Sequence, residues 1–357
     1  MTFLLFLAGL ALLILGAELM VRGASRLSLS LGIAPLVVGL TVVSFGTSAP
    51  ELAISIKSAF DGQTDLALGN VVGSNIFNVL FILGLSALVA PLVVDRQLVR
   101  QEVPILIGLC LLVGWMAWDR DISRLDGLVL VVLLVAYTGL LYWMGRRAAP
   151  AELEDALVVG ADSPWLSRLW VQLLLIAAGL ALLVLGSRWL VQAAVEFATA
   201  LGVGPLVIGL TIVSAGTSLP EVATSVVAAA RGEREIAVGN VIGSCIFNLV
   251  AVLGISALVA PTGLGVPQAL LAFDLPVMFA VSLACLPVLF TGHLIARWEG
   301  ALFLAYYAFY VTYLVLYAKD HEALDEYTLV MSTVVIPLTV VTLAVVAWRE
   351  LRPRRRA

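Results

Sequence analysis

The chain has 357 residues, of which 62% are hydrophobic and 12% charged, with a formal net charge of −4 and a mean hydropathy of +1.09. No water-soluble fold has an interior large enough for that much apolar surface. The composition therefore specifies an integral membrane protein and excludes a soluble enzyme or a nucleic-acid reader.

The first apolar run, residues 2–22, lacks the basic start and small-residue cleavage site of a secretory signal, and reads as a retained span. Further runs long enough to cross lie at 33–57, 66–92, 103–118, 126–145, 169–191, 204–230, 236–260, 270–291, 299–317 and 328–348, which makes eleven. Sorting the 20 Lys and Arg residues over eleven spans leaves 5 on the side of the N-terminus and 15 on the other, including Arg146, Arg147 and the tail from Arg349 to Arg356. The positive-inside rule then sets the N-terminus outside and the basic tail in the cytoplasm. Cys110, Cys245 and Cys285 all fall in apolar runs and show no disulfide or zinc spacing. His293 and His321 stand alone near span ends and read as interfacial residues.

The chain contains itself twice. GLTVVSFGTSAPELAI from Gly39 and GLTIVSAGTSLPEVAT from Gly209 agree at 11 of 16 positions, at an offset of 170. The same offset aligns GNVVGSNIFNV from Gly69 with GNVIGSCIFNL from Gly239, at 8 of 11 positions. Arg124-Leu-Asp-Gly127 answers Arg297-Trp-Glu-Gly300 after a three-residue slip, and Glu102-Val-Pro104 answers Asp274-Leu-Pro276. Each copy is five spans, an odd number, so the second must enter the membrane from the opposite side. The expected architecture is all-α and polytopic: an inverted five-helix repeat over 1–145, a cytoplasmic linker over 146–168 and a second repeat over 169–318. One extra span and the basic tail complete it over 319–357. Inverted repeats that meet at the bilayer midplane are the usual construction of secondary transporters.

The repeated segments carry the chemistry. In span 2, Gly46, Pro50 and Glu51 lie well inside an apolar run, and span 7 repeats them as Gly216, Pro220 and Glu221. Proline removes a backbone donor and glycine lets the chain deviate, which lipid tolerates only where protein or water covers the break. A carboxylate at mid-membrane costs roughly 2.5–3.5 kcal/mol on insertion scales. Two of them at inverted positions should converge, and they repel unless a cation lies between them or one is protonated. Thr47 and Glu51, Thr217 and Glu221, Ser74 and Asn78, and Ser244 and Asn248 are each four apart and share a helix face. Carboxylates, hydroxyls, amide oxygens and freed carbonyls form a hard oxygen set, suited to Ca²⁺ or Na⁺ rather than to zinc or copper. Each element also has a plainer role: a mid-helix hydroxyl bonds its own backbone, and a Gly-Pro pair only kinks a helix. Glu18 and Arg22 are expected to pair with each other. Glu102 and Asp274 are expected to serve helix starts. Asn70 and Asn240 read as caps or gate residues.

The motifs GTSAPE (Gly46 to Glu51) with GNVVGSNIFN (Gly69 to Asn78), and GTSLPE (Gly216 to Glu221) with GNVIGSCIFN (Gly239 to Asn248), resemble the α-repeats of the calcium/cation antiporter superfamily, the sodium/calcium exchangers and their bacterial relatives. The resemblance implies countertransport of Ca²⁺ against Na⁺, or in some branches H⁺, in a bacterial inner membrane. It implies Glu51 and Glu221 as central calcium ligands beside Thr47 and Thr217, with Ser48, Ser218, Ser74 and Ser244 lining sodium sites. Asn78 and Asn248 take the remaining central positions. Many exchangers carry an aspartate at one of those two positions, whereas this chain has asparagine at both. Two glutamates balance one Ca²⁺ or two Na⁺, and a third Na⁺ adds uncompensated charge. No resident cofactor is implied, and neither a GxxxxGK[ST] phosphate loop nor an HExxH motif occurs, so an enzyme is not expected.

Overall fold

The computed structural model describes residues 2–145, 168–202, 212, 214–290 and 293–342. Among these residues nine helices are long and apolar enough to cross a membrane, and a bent pair, Pro35–Thr47 with Ala49–Phe60, makes a tenth. In chain order, span 1 is Thr2–Leu31, span 2 the bent pair, span 3 Thr64–Val89, span 4 Leu98–Asp119 and span 5 Arg124–Met144. Span 6 is Leu169–Ala200, span 8 Arg234–Val259, span 9 Leu270–Phe290, span 10 Arg297–Ala318 and span 11 Ala323–Thr342. Span 7, expected over 204–230, is described from Ser214–Gly216 and Leu219–Ala230. The expected linker lies outside the described residues except for Arg168, as do residues 343–348 of the last expected run.

Spans 1 and 6 are longer than hydropathy implies. The apolar runs stop near Arg22 and Val191, yet both helices continue for nine more residues. Thirty residues of helix measure about 45 Å, against roughly 30 Å of hydrocarbon, so both protrude beyond it. The two cross antiparallel on glycine. A Cβ on Gly9 would lie 2.9 Å from the Gly186 carbonyl oxygen, and one on Gly16 would lie 2.8 Å from that of Gly179. Contacts that advance along one helix as they retreat along the other are what two oppositely inserted copies of one helix must make.

The same inversion recurs in the connectors. Leu92–Val93 pairs antiparallel with Leu294–Ile295, and Asp121–Ile122 with Leu264–Gly265. Each short sheet joins a loop of one half to a non-equivalent loop of the other. His293, with φ 51°, supplies the carbonyl that accepts the Val94 N–H at 2.9 Å. The repeated Arg-x-x-Gly motif now has a physical role. Arg124 Nε donates to the Ala260 carbonyl at 2.9 Å, and Arg297 Nη2 to that of Val89 at 3.3 Å. Each arginine thus covers the C-terminal end of a helix in the opposite half, where carbonyls are unpaired and the helix dipole is negative. Gly127 and Gly300 then let the helices close on Gly254 and Gly84 respectively.

Spans 3 and 8 form the centre, with 78% and 89% of their apolar windows buried, whereas span 11 has none buried. Span 11 leans on span 10 through Tyr306 with Thr339 and through Tyr327 with the Phe309 carbonyl. His321 accepts the N–H of Ala323 at the start of that helix.

Glu102 and Asp274 do not stand at helix starts, because their helices begin earlier. A π-turn over Leu98–Glu102 precedes Pro104, and one over Leu270–Asp274 precedes Pro276. Widening the helix there relieves the clash of the proline ring with the preceding turn. The two carboxylates instead accept hydroxyls from the next span, Tyr137 to Glu102 at 2.7 Å and Tyr310 to Asp274 at 2.8 Å.

Candidate functional site

Span 2 bends by 46° between Pro35–Thr47 and Ala49–Phe60. Ser48 at the break has ψ 6°, and Ser218 at the equivalent break has ψ 9°. Pro50 and Pro220 occupy the first turn of the following helix, where a missing N–H costs nothing. Glu51 and Glu221 therefore fall in the first turn of a helix that starts inside the membrane, and both are fully buried.

The two halves then hold each other's carboxylates. Ser218 Oγ donates to Glu51 Oε1 at 2.8 Å, and Ser48 Oγ donates to Glu221 Oε1 at 3.0 Å. Ser74 Oγ of span 3 lies 3.3 Å from Ser218 Oγ. Thr47 Oγ1 donates to Asn240 Oδ1 at 3.1 Å, and Thr217 Oγ1 to Asn70 Oδ1 at 3.5 Å. Asn70 Nδ2 donates to the Glu51 carbonyl and to Ser55 Oγ, at 3.2 and 2.9 Å. Asn240 Nδ2 does the same to the Glu221 carbonyl and Ser225 Oγ, at 3.5 and 2.8 Å. Apart from the Ser74–Ser218 contact, each of these bonds has a counterpart related by the 170-residue offset. The network is the local two-fold of the molecule.

Asn70 and Asn240 are thus not helix caps. They sit mid-helix and bridge the break in their own half to the threonine of the other. Sequence reasoning had one signal for them, their exact duplication beside Gly69 and Gly239, and it left Ser55 and Ser225 unremarked.

What the network leaves over defines the site. Glu51 Oε2, Glu221 Oε2, Asn78 Oδ1, Asn248 Oδ1 and Ser244 Oγ are buried without a hydrogen-bond partner among the described residues. Asn248 Nδ2 donates to Asn75 Oδ1 at 3.2 Å, which fixes the amide with its oxygen as the free atom. Asn78 and Asn248 each open a π-turn, Asn78–Leu83 and Asn248–Leu253, a local widening common at functional sites. A buried acceptor without a donor costs about 1–3 kcal/mol, more when charged. Five in one region, all oxygen, make a poor core and a good receptor for a hard cation. Among the described residues no three His, Cys, Asp or Glu side chains are grouped to hold a metal, so any such set is mixed carboxylate, hydroxyl and amide. Cys245 stands where the first repeat has Asn75, its Sγ 3.8 Å from the Asn75 carbonyl oxygen.

The family model for sodium/calcium exchanger proteins matches residues 1–143 and 171–316. The chain belongs to the sodium/calcium exchanger protein family. CaxA of Alkalimonas amylolytica is 40% identical over 283 residues, spanning 78% of this chain and 87% of that protein. The sodium/calcium exchanger MaX1 of Methanosarcina acetivorans is 34% identical over 345 residues, spanning 88% and 97%. Among solved structures, the sodium-calcium exchanger NCX_Mj, soaked with neither Na⁺ nor Ca²⁺, superposes with a TM-score of 0.74 at 30% identity, covering 88% of this chain and 98% of that one. Like those relatives, this exchanger-family member is a multi-pass membrane protein built for transport.

Proposed function

We propose that the protein is a secondary antiporter that carries Ca²⁺ out of the cytoplasm as Na⁺ enters, both ions competing for one midplane site. The observation that carries this reading is the pair of buried carboxylates, each with one oxygen held by a serine of the opposite repeat and the other free, together with the buried, unpartnered amide oxygens of Asn78 and Asn248. Glu51 and Glu221 are assigned as the central ligands, with Thr47, Thr217, Asn78 and Asn248 around them. Ser48, Ser218, Ser74 and Ser244 line the flanking sodium positions. The matched names of the relatives support the choice of ions. The assigned division is a repeat over 1–145, a linker over 146–168, a repeat over 169–318 and an added segment over 319–357, with the N-terminus outside. Exchange needs no ATP: each half opens the site to one side in turn, and the site crosses only when its carboxylates are neutralised.

The test is ⁴⁵Ca²⁺ uptake into proteoliposomes loaded with Na⁺, with an imposed pH gradient as a parallel arm. Uptake that requires internal Na⁺ supports the proposal. Uptake that follows the pH gradient alone makes the protein a Ca²⁺/H⁺ antiporter, with Glu51 and Glu221 as the proton carriers.

A further inference from the structure

The two halves share a repeated sequence and a turn geometry, yet at two positions they carry opposite charges. Leu15-Gly16 and Val21 of span 1 correspond to Leu185-Gly186 and Val191 of span 6, which makes Arg188 the counterpart of Glu18. Gly62 and Gly232 close the same turn, with φ of 75° and 83°, which makes Asp61 the counterpart of Arg231. The backbone confirms this second match. Gln63 N–H bonds the Ser58 carbonyl at 2.7 Å, and Glu233 N–H bonds that of Ala228 at 2.9 Å.

Only one of the two pairs is closed. Arg231 Nε donates to Glu18 Oε2 at 2.8 Å and its Nη2 lies 2.8 Å from Glu18 Oε1, a bidentate grip that ties span 1 to the turn after span 7. Arg22 Nε joins at 2.5 Å, and Ser25 Oγ donates to Glu233 Oε1 at 2.6 Å beside it. At the equivalent positions of the other halves, Arg188 and Asp61 are exposed, and their side chains have no partner among the described residues. Span 1 packs along Leu219–Ala230. Span 6 instead stands off span 2 across an apolar cavity of about 820 Å³, with Leu185 and Arg188 on one wall and Phe45 and Ala49 on the other.

We propose that Glu18–Arg231 and Asp61–Arg188 are alternating ion-pair latches, one at each membrane face, and that the second closes when the first opens. The inference rests on the antiporter reading. Exchanging the roles of two inverted halves converts the observed arrangement into its opposite, and that exchange carries Arg188 to Asp61 as Glu18 now meets Arg231. Charge reversal at both members of the pair preserves the attraction. A random drift of either residue alone would have destroyed it.

Disulfide trapping in proteoliposomes tests this. The native cysteines are all buried, so wild-type protein is the control. The variants are Asp61→Cys/Arg188→Cys and Glu18→Cys/Arg231→Cys in the full chain, oxidised, denatured and then cut in the 146–168 region, so that a cross-link holds the two halves together on a gel. The expected result is a cross-link in both variants, each abolishing ⁴⁵Ca²⁺ flux, with reductant restoring it. A reduced Asp61→Cys/Arg188→Cys protein that carries Ca²⁺ at the wild-type rate yet never cross-links overturns the proposal. Should that variant be inactive, charge exchange decides: Arg188→Asp alone slows flux by roughly twofold to fivefold, the scale of an exposed ion pair. Adding Asp61→Arg restores it, and equal slowing in the single and double variants overturns the latch. The gel reads contact and not cargo. Cross-linking in a wild-type background that carries no Ca²⁺ supports the latch and counts against the calcium reading alone.

Discussion

Replacing Glu51 by glutamine removes one charge and almost nothing else. The amide oxygen can still accept the Ser218 hydroxyl that now bonds Oε1 at 2.8 Å, and Oε2 has no partner among the described residues to lose. The fold should therefore persist, relieved of a buried carboxylate. Binding should not. A Ca²⁺ ion at about 2.5 Å from a carboxylate oxygen gains about 13 kcal/mol at an effective dielectric constant of about 20. Relief of repulsion from Glu221 and the dehydration of the ion offset most of that. If only a third survives, about 4 kcal/mol, the apparent affinity falls by about a thousandfold. The assay is ⁴⁵Ca²⁺ flux against external Ca²⁺ in proteoliposomes, normalised to monodisperse protein, with Glu221→Gln in parallel because the network is symmetric. Flux within tenfold of wild type in either variant would refute the central-site assignment.

Asn240→Ala strands the Thr47 and Ser225 hydroxyls and the Glu221 carbonyl, which at about 1 kcal/mol each amounts to about 2–3 kcal/mol. We expect the melting temperature in detergent to fall by roughly 3–6 °C, and an unchanged value would mean the bridge carries no stability. Gly16→Val places a Cβ 2.8 Å from the Gly179 oxygen and the Leu183 nitrogen, both backbone atoms that cannot turn aside. Loss of monodisperse protein on size exclusion is expected there and not for Gly108→Val, where nothing lies within 4 Å. Deleting residues 328–357 should leave insertion and flux intact, since span 11 buries none of its apolar window. Loss of either would assign that span a structural role.

The sequence by itself determined the membrane class, the number of candidate spans and the inversion, because hydropathy and an odd-numbered duplication are properties of the linear chain. It also singled out Glu51 and Glu221, since a carboxylate repeated inside an apolar run is visible without coordinates. Span lengths escaped it: Arg22 to Leu31 and Gln192 to Ala200 are polar enough to end a hydropathic run, yet they remain helical beyond the hydrocarbon. The cross-repeat bonds escaped it too. Ser48 reaches Glu221, and Thr47 reaches Asn240, only because two helices broken at equivalent points pack against each other's partners. Glu102 read as a helix-start residue until the fold put the Tyr137 hydroxyl on it. Which of two equivalent arrangements the halves adopt is not written in a repeat at all. Two homologous halves related by a local two-fold carry both pairs, and only the tertiary structure shows Glu18 closed on Arg231 with the side chains of Asp61 and Arg188 unpaired among the described residues.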